Sequence, residues 1–511
     1  MAKQKFDVAK GVKDWYKEDA ILRNQVRSTL RNIFEKYGFV PIETPIIERR
    51  DSLGFKGGGE IQKEVFRLED QGGRKLALRF DQTVPLARFV ASHKDLKFPF
   101  KRYAIGEVFR DGPTQPEQGR YRSFTQCDAD ILGVKEMAAE AELFALAQDA
   151  FKELGLGNVE VKINNRKLLE GLLDYAGVPD HAKLRTITTL DKLDKIGLDG
   201  IKEELSDLTI FDQEMALSND TLQELFEKYK KQGISGVEYP MKSKIISELD
   251  KNGYEEILSF FQDIEDESKL FTKVAEYKTK GPKLLASENV GKIMDSISTK
   301  GTNDEIYNRL TSTISSPKGK EGLEEVKELL DYSSKMGLDF IQLDPCLARG
   351  LDYYTGTTIE VYLKDKRIVK SAILAGGRFD DMVGDFRGEN EDIPAVGFSF
   401  GLERLVMVLK DYNKDNIKPT NTELYLIPIG KTTDECLGIA HTLRNQGLNI
   451  DMELQKNKKI GNSIGYADTL GIPYVGLIGE DEIKEECITV KNLKSGIQEK
   501  VKIENISDYL K

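Results

Sequence analysis

KRYAIGEVFRDGPTQPEQGRYRSFTQCDADILG, residues 101–133, holds an apolar-alternating strand, a long polar loop and a second strand, and it reads as a hairpin with a charged tip. On the first arm Tyr103, Ile105, Val108 and Phe109 give a rough period of two, broken by Gly106 and closed by Arg110, where a Gly/Pro/Gln-rich loop begins. The return arm carries Arg120 and Arg122, then Gln126, Asp128 and Asp130 at alternate positions. Strand side chains alternate between faces, so this spacing predicts cations at the mouth of the hairpin and acceptors deeper along one face. Such an arrangement suits a polyphosphate beside an ammonium-bearing substrate. On this stretch alone it suits a solvated tip with surface ion pairs equally well.

At 511 residues the chain exceeds one ordinary domain, so two or three domains are expected. Charged residues make up 32%, and no apolar run approaches the roughly 18 residues of a transmembrane helix. The opening MAKQKFDVAKGVKDW lacks an apolar signal region. Cys127, Cys346, Cys436 and Cys487 are scattered without CxxC spacing, which fits reduced thiols in the cytoplasm better than disulfides or a zinc site. His93, His181 and His441 lie far apart, and no protein-held metal is expected. A net charge of −11 argues against indiscriminate nucleic-acid binding, while leaving room for an RNA that meets a local basic surface. Neither DNA nor a membrane is an expected partner.

Outward from the hairpin, residues 18–37 read as an amphipathic helix on Ile21, Leu22, Val26, Leu30, Ile33 and Phe34, stopped by Gly38 and followed by the extended FVPIETPIIE. VFRLED and KLALRF alternate around the turn QGGR. Asp81 and Thr83 follow directly, either capping the helix that begins at LARFVA or holding an ammonium, for which an anionic acceptor beside a hydroxyl is well matched. Residues 134–154 read as a helix and VEVKIN as a strand. From 166 to about 335 the texture changes to long charged helical segments, including LDKLDKIGLDGIKEELSDL and DTLQELFEKYKKQG, whose charge runs read as solvated faces. Beyond the polar DYNKDNIKPTN, a βαβαβ alternation over ELYLIPIG, LNIDMEL and YVGLIG predicts a small parallel or mixed sheet, with Gly461 in a lysine-rich turn and a final hairpin. No GxGxxG or phosphate-loop lysine marks that segment as a generic nucleotide-binding module.

FRDGPTQPEQGRYRSFTQ resembles the second signature motif of class II aminoacyl-tRNA synthetases, and its GRYR-x-F-x-Q ending most resembles the histidyl-tRNA synthetases. RGLDYYTG, at 349–356, and AGGRFD, at 375–380, are similar to two signatures peculiar to that family. PAVGFSFGLERLVMVL resembles the third class motif, and the first helix with FVPIETPIIE resembles the first. Without the family, YY and RG would be ordinary packing and surface residues.

The resemblance implies an α+β fold. A class II catalytic domain with an antiparallel sheet and flanking helices would span 1–165 and 336–412, and a helical insertion 166–335. A linker at 413–422 would lead to an α/β anticodon-binding domain at 423–511. It also implies a homodimer that joins histidine and ATP as histidyl-adenylate and passes the histidyl group to its tRNA, with magnesium carried by ATP. Arg110 and Arg349 would be catalytic at the α-phosphate, and Arg120 and Arg404 would hold the rest of the triphosphate. Asp81, Gln82, Thr83 and Gln126 would bind the amino acid together with Arg110, Arg349, Tyr353 and Phe379. Neutral imidazole offers one donor and one acceptor, and the resemblance assigns Asp130 and Tyr354 to complement them. Gly376 and Gly377 would let the backbone pass close to the substrate.

The chain departs from the family pattern at Phe379, where tyrosine is usual, so any hydrogen bond from that hydroxyl is absent. A non-catalytic relative, such as a regulatory subunit of histidine biosynthesis or a sensor of uncharged tRNA, would lack parts of this set. Retention of Arg110, Arg349 and Arg404 together with the C-terminal module favours the enzyme.

Overall fold

The computed structural model describes residues 7–54, 63–208, 283–338, 340–348, 353–388, 392–413, 417–455 and 458–510. Its two longest described strands, β5 (Phe100–Phe109) and β6 (Ser123–Leu132), form a hairpin paired antiparallel from Phe100↔Leu132 to Phe109↔Ser123. Six further strands complete an eight-stranded sheet: β1 (Val40–Pro41), β7 (Val159–Asn165), β8 (Ile341–Leu343), β9 (Thr357–Leu363), β10 (Leu374–Arg378) and β11 (Ala395–Gly401). The order is β1-β5-β6-β11-β10-β9-β7-β8. The pairs from β5 to β7 are antiparallel, but β1 on β5 and β8 on β7 are parallel, so the sheet is mixed at its edges. Both edge strands reach their neighbours through long crossing connections, as parallel pairing requires.

Register divides the two faces. Tyr103, Ala129, Phe398, Gly376, Ile359 and Ile163 form one cross-strand row, and Arg102, Asp130, Gly397, Gly377, Thr358 and Asn164 form the next, pointing the opposite way. The first row belongs to the main apolar core. Helix α1 (Glu18–Lys36) buries Leu22, Val26, Leu30, Ile33 and Phe34 in that core, the face that its 3.6-residue spacing predicts. Its other principal helix, α4 (Ala138–Glu153), starts four residues later than the apolar pattern suggested, after the turn at Gly133. From the second row, facing away, Asp130 and Gly397 line a cleft.

A three-stranded sheet, β2 (Ile47–Arg49), β4 (Lys75–Leu78) and β3 (Arg67–Glu69), with α2 (Arg50–Gly54) and α3 (Thr83–Ser92), flanks that cleft. Within the helical segment, α5 (Arg166–Tyr175) serves two cores. Its Leu168 and Leu172 join the main core, while Leu169 and Leu173 join a separate cluster with α6 (Asp180–Leu190), α7 (Leu193–Asp207) and α8 (Ser287–Ile297). Helices α9 (Asn303–Thr313) and α10 (Pro317–Lys335) also send Ile306, Leu310, Leu323, Val326 and Leu329 into the main core, so both ends of the segment are anchored on the large sheet. The helical reading of 220–233 lies outside the described residues.

After α11 (Asp381–Arg387) and α12 (Leu402–Tyr412), the C-terminal module begins. Its strands are β12 (Leu424–Pro428), β13 (Ile450–Met452), β14 (Tyr474–Ile478), β15 (Cys487–Asn492) and β16 (Gln498–Lys502). The order is β13-β12-β14-β15-β16, parallel through β14 and antiparallel in the closing hairpin. Helix α13 (Thr433–Asn445) covers Leu424 and Leu426, and α14 (Ile460–Thr469) covers Tyr425 and Ile427 on the opposite face. Gly461 falls in the first turn of α14 and not in a preceding turn. Among the described residues no helix is long and apolar enough to cross a membrane.

Candidate active site

Strand alternation carries Gln126, Asp128 and Asp130 to the cleft face of β6, while Cys127, Ala129 and Ile131 enter the main core. The cleft, about 380 Å3 in volume, gathers Asp81, Thr83, Arg110, Arg120, Gln126, Asp130, Tyr353, Tyr354, Phe379 and Arg404 among its lining residues. Gln82 does not line it. That side chain is buried behind the strands, donating to the carbonyls of Gln126 at 3.1 Å and Ala104 at 3.4 Å. Arg349 lies outside the described residues.

Asp81 Oδ1 accepts the Val84 N–H at 3.0 Å and Tyr353 donates its hydroxyl to Asp81 Oδ2 at 3.4 Å. The carboxylate therefore satisfies a free amide in the first turn of α3 while also lining the cleft. Burial pushes its carboxyl up, opposed by the Val84 N–H and by Arg110. Tyr353 stands edge-on to Tyr354 at 5.2 Å and to Phe379 at 6.3 Å. Burial followed by the nearby Asp81 raises both phenols, which keeps them protonated as donors. Phe379 is buried in the same apolar cluster as Tyr353 and lines the cleft with its ring.

The floor contains a residue that sequence reading did not single out. Arg102 pairs directly with Asp130 across the hairpin register, its Nη2 2.7 Å from Asp130 Oδ2 and 3.7 Å from Asp128 Oδ2. Burial drives both carboxyls above the ordinary range, and Arg102 works against it. The signal was present in the sequence, since Arg102 shares a strand face with Ala104 and Gly106, but an arginine entering a strand reads first as a surface residue. Gly397 sits opposite Asp130 on β11, and a Cβ there would lie 1.9 Å from Asp130 Oδ1, so the missing side chain is the room the carboxylate occupies. At Gly376 and Gly377 the crowding comes from the protein's own backbone. A Cβ would meet Gly397 O at 2.2 Å and Thr357 O at 2.7 Å, which shows strand packing at these two positions. Glu360, another buried carboxylate of the lining, also went unnoticed in the sequence, where it sits within an apolar strand.

On the cationic side, the Arg110 guanidinium stacks 4.1 Å from the Phe80 ring centroid and 5.2 Å from that of Phe124, with its Nε donating to Phe80 O at 3.3 Å. Among the described residues no carboxylate forms an ion pair with it. Arg120 Nη2 lies 3.7 Å from Glu64 Oε1, and Arg404 Nη1 donates to the Ala372 carbonyl. Arg122 turns away to pair with Asp111 at 3.1 Å. It precedes the start of β6, so the alternation that orders Gln126 to Asp130 does not govern it. The result is a cleft with guanidiniums from the hairpin tip and from α12, buried acceptors on the floor, and phenols beside them. That combination is chemically suited to a polyanion beside a small zwitterion.

Comparison with known proteins follows the same division. The histidyl-tRNA synthetase family model matches residues 11–234 and 263–405, and the anticodon binding domain model matches 423–511. Histidine--tRNA ligase 1 of Bacillus cereus is 36% identical over 505 residues, covering 98% of both chains. The crystal structure of histidyl-tRNA synthetase from Nostoc sp. PCC 7120 superposes with a TM-score of 0.71 at 26% identity, covering 99% of each chain. The structure of an ATP phosphoribosyltransferase regulatory subunit/histidyl-tRNA synthetase from Bacillus halodurans C reaches 0.65 at 19% identity, with 93% of this chain and 98% of that one covered, and shares the fold.

Proposed function

The chain belongs to the histidyl-tRNA synthetase family and, as an aminoacyl-tRNA ligase, joins histidine to tRNA at the expense of ATP; from that premise we propose how its residues divide the work. The histidine carboxylate attacks the α-phosphorus of ATP, the bond to pyrophosphate breaks, and a hydroxyl at the tRNA 3′ end then takes the acyl group from histidyl-adenylate as AMP leaves. No covalent enzyme intermediate is needed, so acceleration comes from alignment and from cations where phosphate charge develops.

Arg110 and Arg349 act at the α-phosphate, Arg120 and Arg404 farther along the triphosphate, and magnesium carried by ATP neutralises the remaining charge. Asp81 and Thr83 receive the ammonium group beside Gln126, with Tyr353 holding Asp81. Gln82 supports Gln126 from behind. Asp130 and Tyr354 supply the acceptor and donor that neutral imidazole requires, and Phe379 packs the wall next to them. One observation carries this reading: cations from the hairpin tip and α12 meet buried carboxylates of the strand floor in a single cleft.

Catalysis resides in 1–165 and 336–412, the helical insertion spans 166–335 with its end helices rooted in the catalytic core, 413–422 links, and 423–511 engages the anticodon. The exposed apolar residues Val40, Ile46, Ile47 and Leu68 support a homodimer. The free cysteines support a cytoplasmic location. Purified protein is expected to exchange pyrophosphate into ATP with histidine and to charge tRNA with it. Equal exchange with glycine, threonine or proline would overturn the assignment of Asp130 and Tyr354.

A further inference from the structure

Glu403 lies in the first turn of α12 immediately before Arg404 and is 2% exposed. Its two carboxylate oxygens accept the Thr125 backbone N–H at 3.1 and 3.0 Å, and Oε1 also pairs with Arg23 Nη1. Arg23, itself buried, donates through Nη2 to Thr125 Oγ1 at 3.0 Å, and Arg27 donates to the same oxygen at 3.1 Å. One carboxylate thus ties together α1, the residue before Gln126 on β6, and the helix turn that carries Arg404.

The N-terminal segment closes this cluster. Trp15 lies over the Arg23 guanidinium at 4.1 Å, with the Lys13 ammonium 4.3 Å from the same ring, and meets the Tyr121 ring edge-on at 5.9 Å. Tyr121 lines the cleft next in sequence to Arg120. Gly11 O accepts the Arg122 N–H at 2.7 Å. Gly11 has φ 81°, and a Cβ there would lie 2.5 Å from Thr114 Cγ2. Residues 11–15 therefore grip the hairpin tip on both sides of its loop.

We propose that Glu403, held by Arg23 under Trp15, is a positioning residue for the ATP side of the cleft, fixing the Arg120 loop and the Arg404 turn relative to Gln126. The physical reason is that a buried ion pair contributes little net stability but fixes geometry, because each partner is left uncompensated when the other moves. None of the hydrogen bonds in this cluster reaches Asp81, Thr83 or Tyr353. Loss of the cluster is therefore expected to disturb ATP first, and the histidine pocket only through Gln126, next in sequence to Thr125. The proposal rests on the assignment of Arg120 and Arg404 to the triphosphate.

The test uses full-length Glu403→Gln, Arg23→Lys and Arg404→Ala in histidine-dependent pyrophosphate exchange. Glu403→Gln is expected to lower kcat/KM for ATP by about 10- to 10²-fold, the scale of a small misplacement of reacting groups, while KM for histidine stays within about twofold. Arg23→Lys, which keeps the charge and loses the fork, falls between this variant and the unaltered chain. Proportional loss in both substrates with a lowered unfolding temperature would reduce the cluster to a structural role and overturn the proposal. Normal exchange by Glu403→Gln beside a defective Arg404→Ala would overturn the proposal alone, whereas a normal Arg404→Ala would overturn the ATP assignment beneath it. Trp15 is the single tryptophan of the chain, so its emission gives an independent reading. ATP with magnesium is expected to shift it in the unaltered protein and not in Glu403→Gln. Emission indifferent to ATP in the unaltered protein counts against the proposal even if a variant fails to fold.

Discussion

Arg102 Nη2 stands 2.7 Å from Asp130 Oδ2, with both side chains almost wholly buried beneath the cleft floor. The two residues face each other directly across the β5–β6 register, so the pair is built into that hairpin. Removing one partner strands the other charge away from water. Arg102→Met is expected to lower the unfolding free energy by about 3–5 kcal/mol, and adding Asp130→Asn to recover part of it. Urea unfolding measures both. A loss below about 1 kcal/mol would mean that water solvates the pair.

Gly397→Ala tests the fit of the floor. The added methyl would sit 1.9 Å from Asp130 Oδ1 and 3.0 Å from Ala129 O, so the carboxylate must move. The expected stability cost is about 1–3 kcal/mol, and the histidine KM in pyrophosphate exchange should rise. An unchanged KM in a folded variant would remove Asp130 from the histidine site.

Arg110 is stacked between Phe80 and Phe124 and lines the cleft, and among the described residues no carboxylate forms an ion pair with it. Arg110→Ala is expected to slow single-turnover formation of histidyl-adenylate by about 10²-fold or more, the scale of losing one preorganised donor. Thermal unfolding should change little. Near-normal single-turnover rates would place the guanidinium away from the reacting phosphate.

Glu453 provides the pH test in the C-terminal module. Burial pushes its carboxyl up, but Lys458 at 2.7 Å, the Gln455 N–H at 2.9 Å and Ser463 at 2.7 Å outweigh it and hold the group at about 2. A carboxyl held below its ordinary value binds fewer protons folded than unfolded. Its contribution is therefore present above about 4.3 and is lost as pH falls through about 2. Calorimetry should find Glu453→Gln less stable near neutral pH, with the gap to the unaltered protein closing as the pH drops below about 4. A constant gap would show that packing and not charge is responsible.

Local patterns in the chain foretold much of this architecture. Period-two runs marked β5, β6 and β7, the helical spacing of Leu22, Val26 and Leu30 marked the buried face of α1, and QGGR marked the turn between β3 and β4. The Gln126, Asp128 and Asp130 alternation reached the cleft because it lies within a regular strand. Arg122 did not, because it stands just outside one, and Gln82 turned inward because the first turn of α3 buries it against β5 and β6.

What the sequence determined by itself was therefore whatever depends on neighbours within a few residues: strand faces, helix faces, turns, and the motif order that assembles the cleft. Tertiary structure alone decided the pairings across long separations. Arg102 meets Asp130 only through strand register, and Gly397 gives Asp130 its room only because β11 lies beside β6. Arg23 meets Glu403 across 380 positions of chain. The divided loyalty of α5, Leu168 to one core and Leu169 to another, is of the same kind. Periodicity shows that a face is apolar, but the partner that covers it is set by the packing of distant elements, and buried charges are placed by that packing as well.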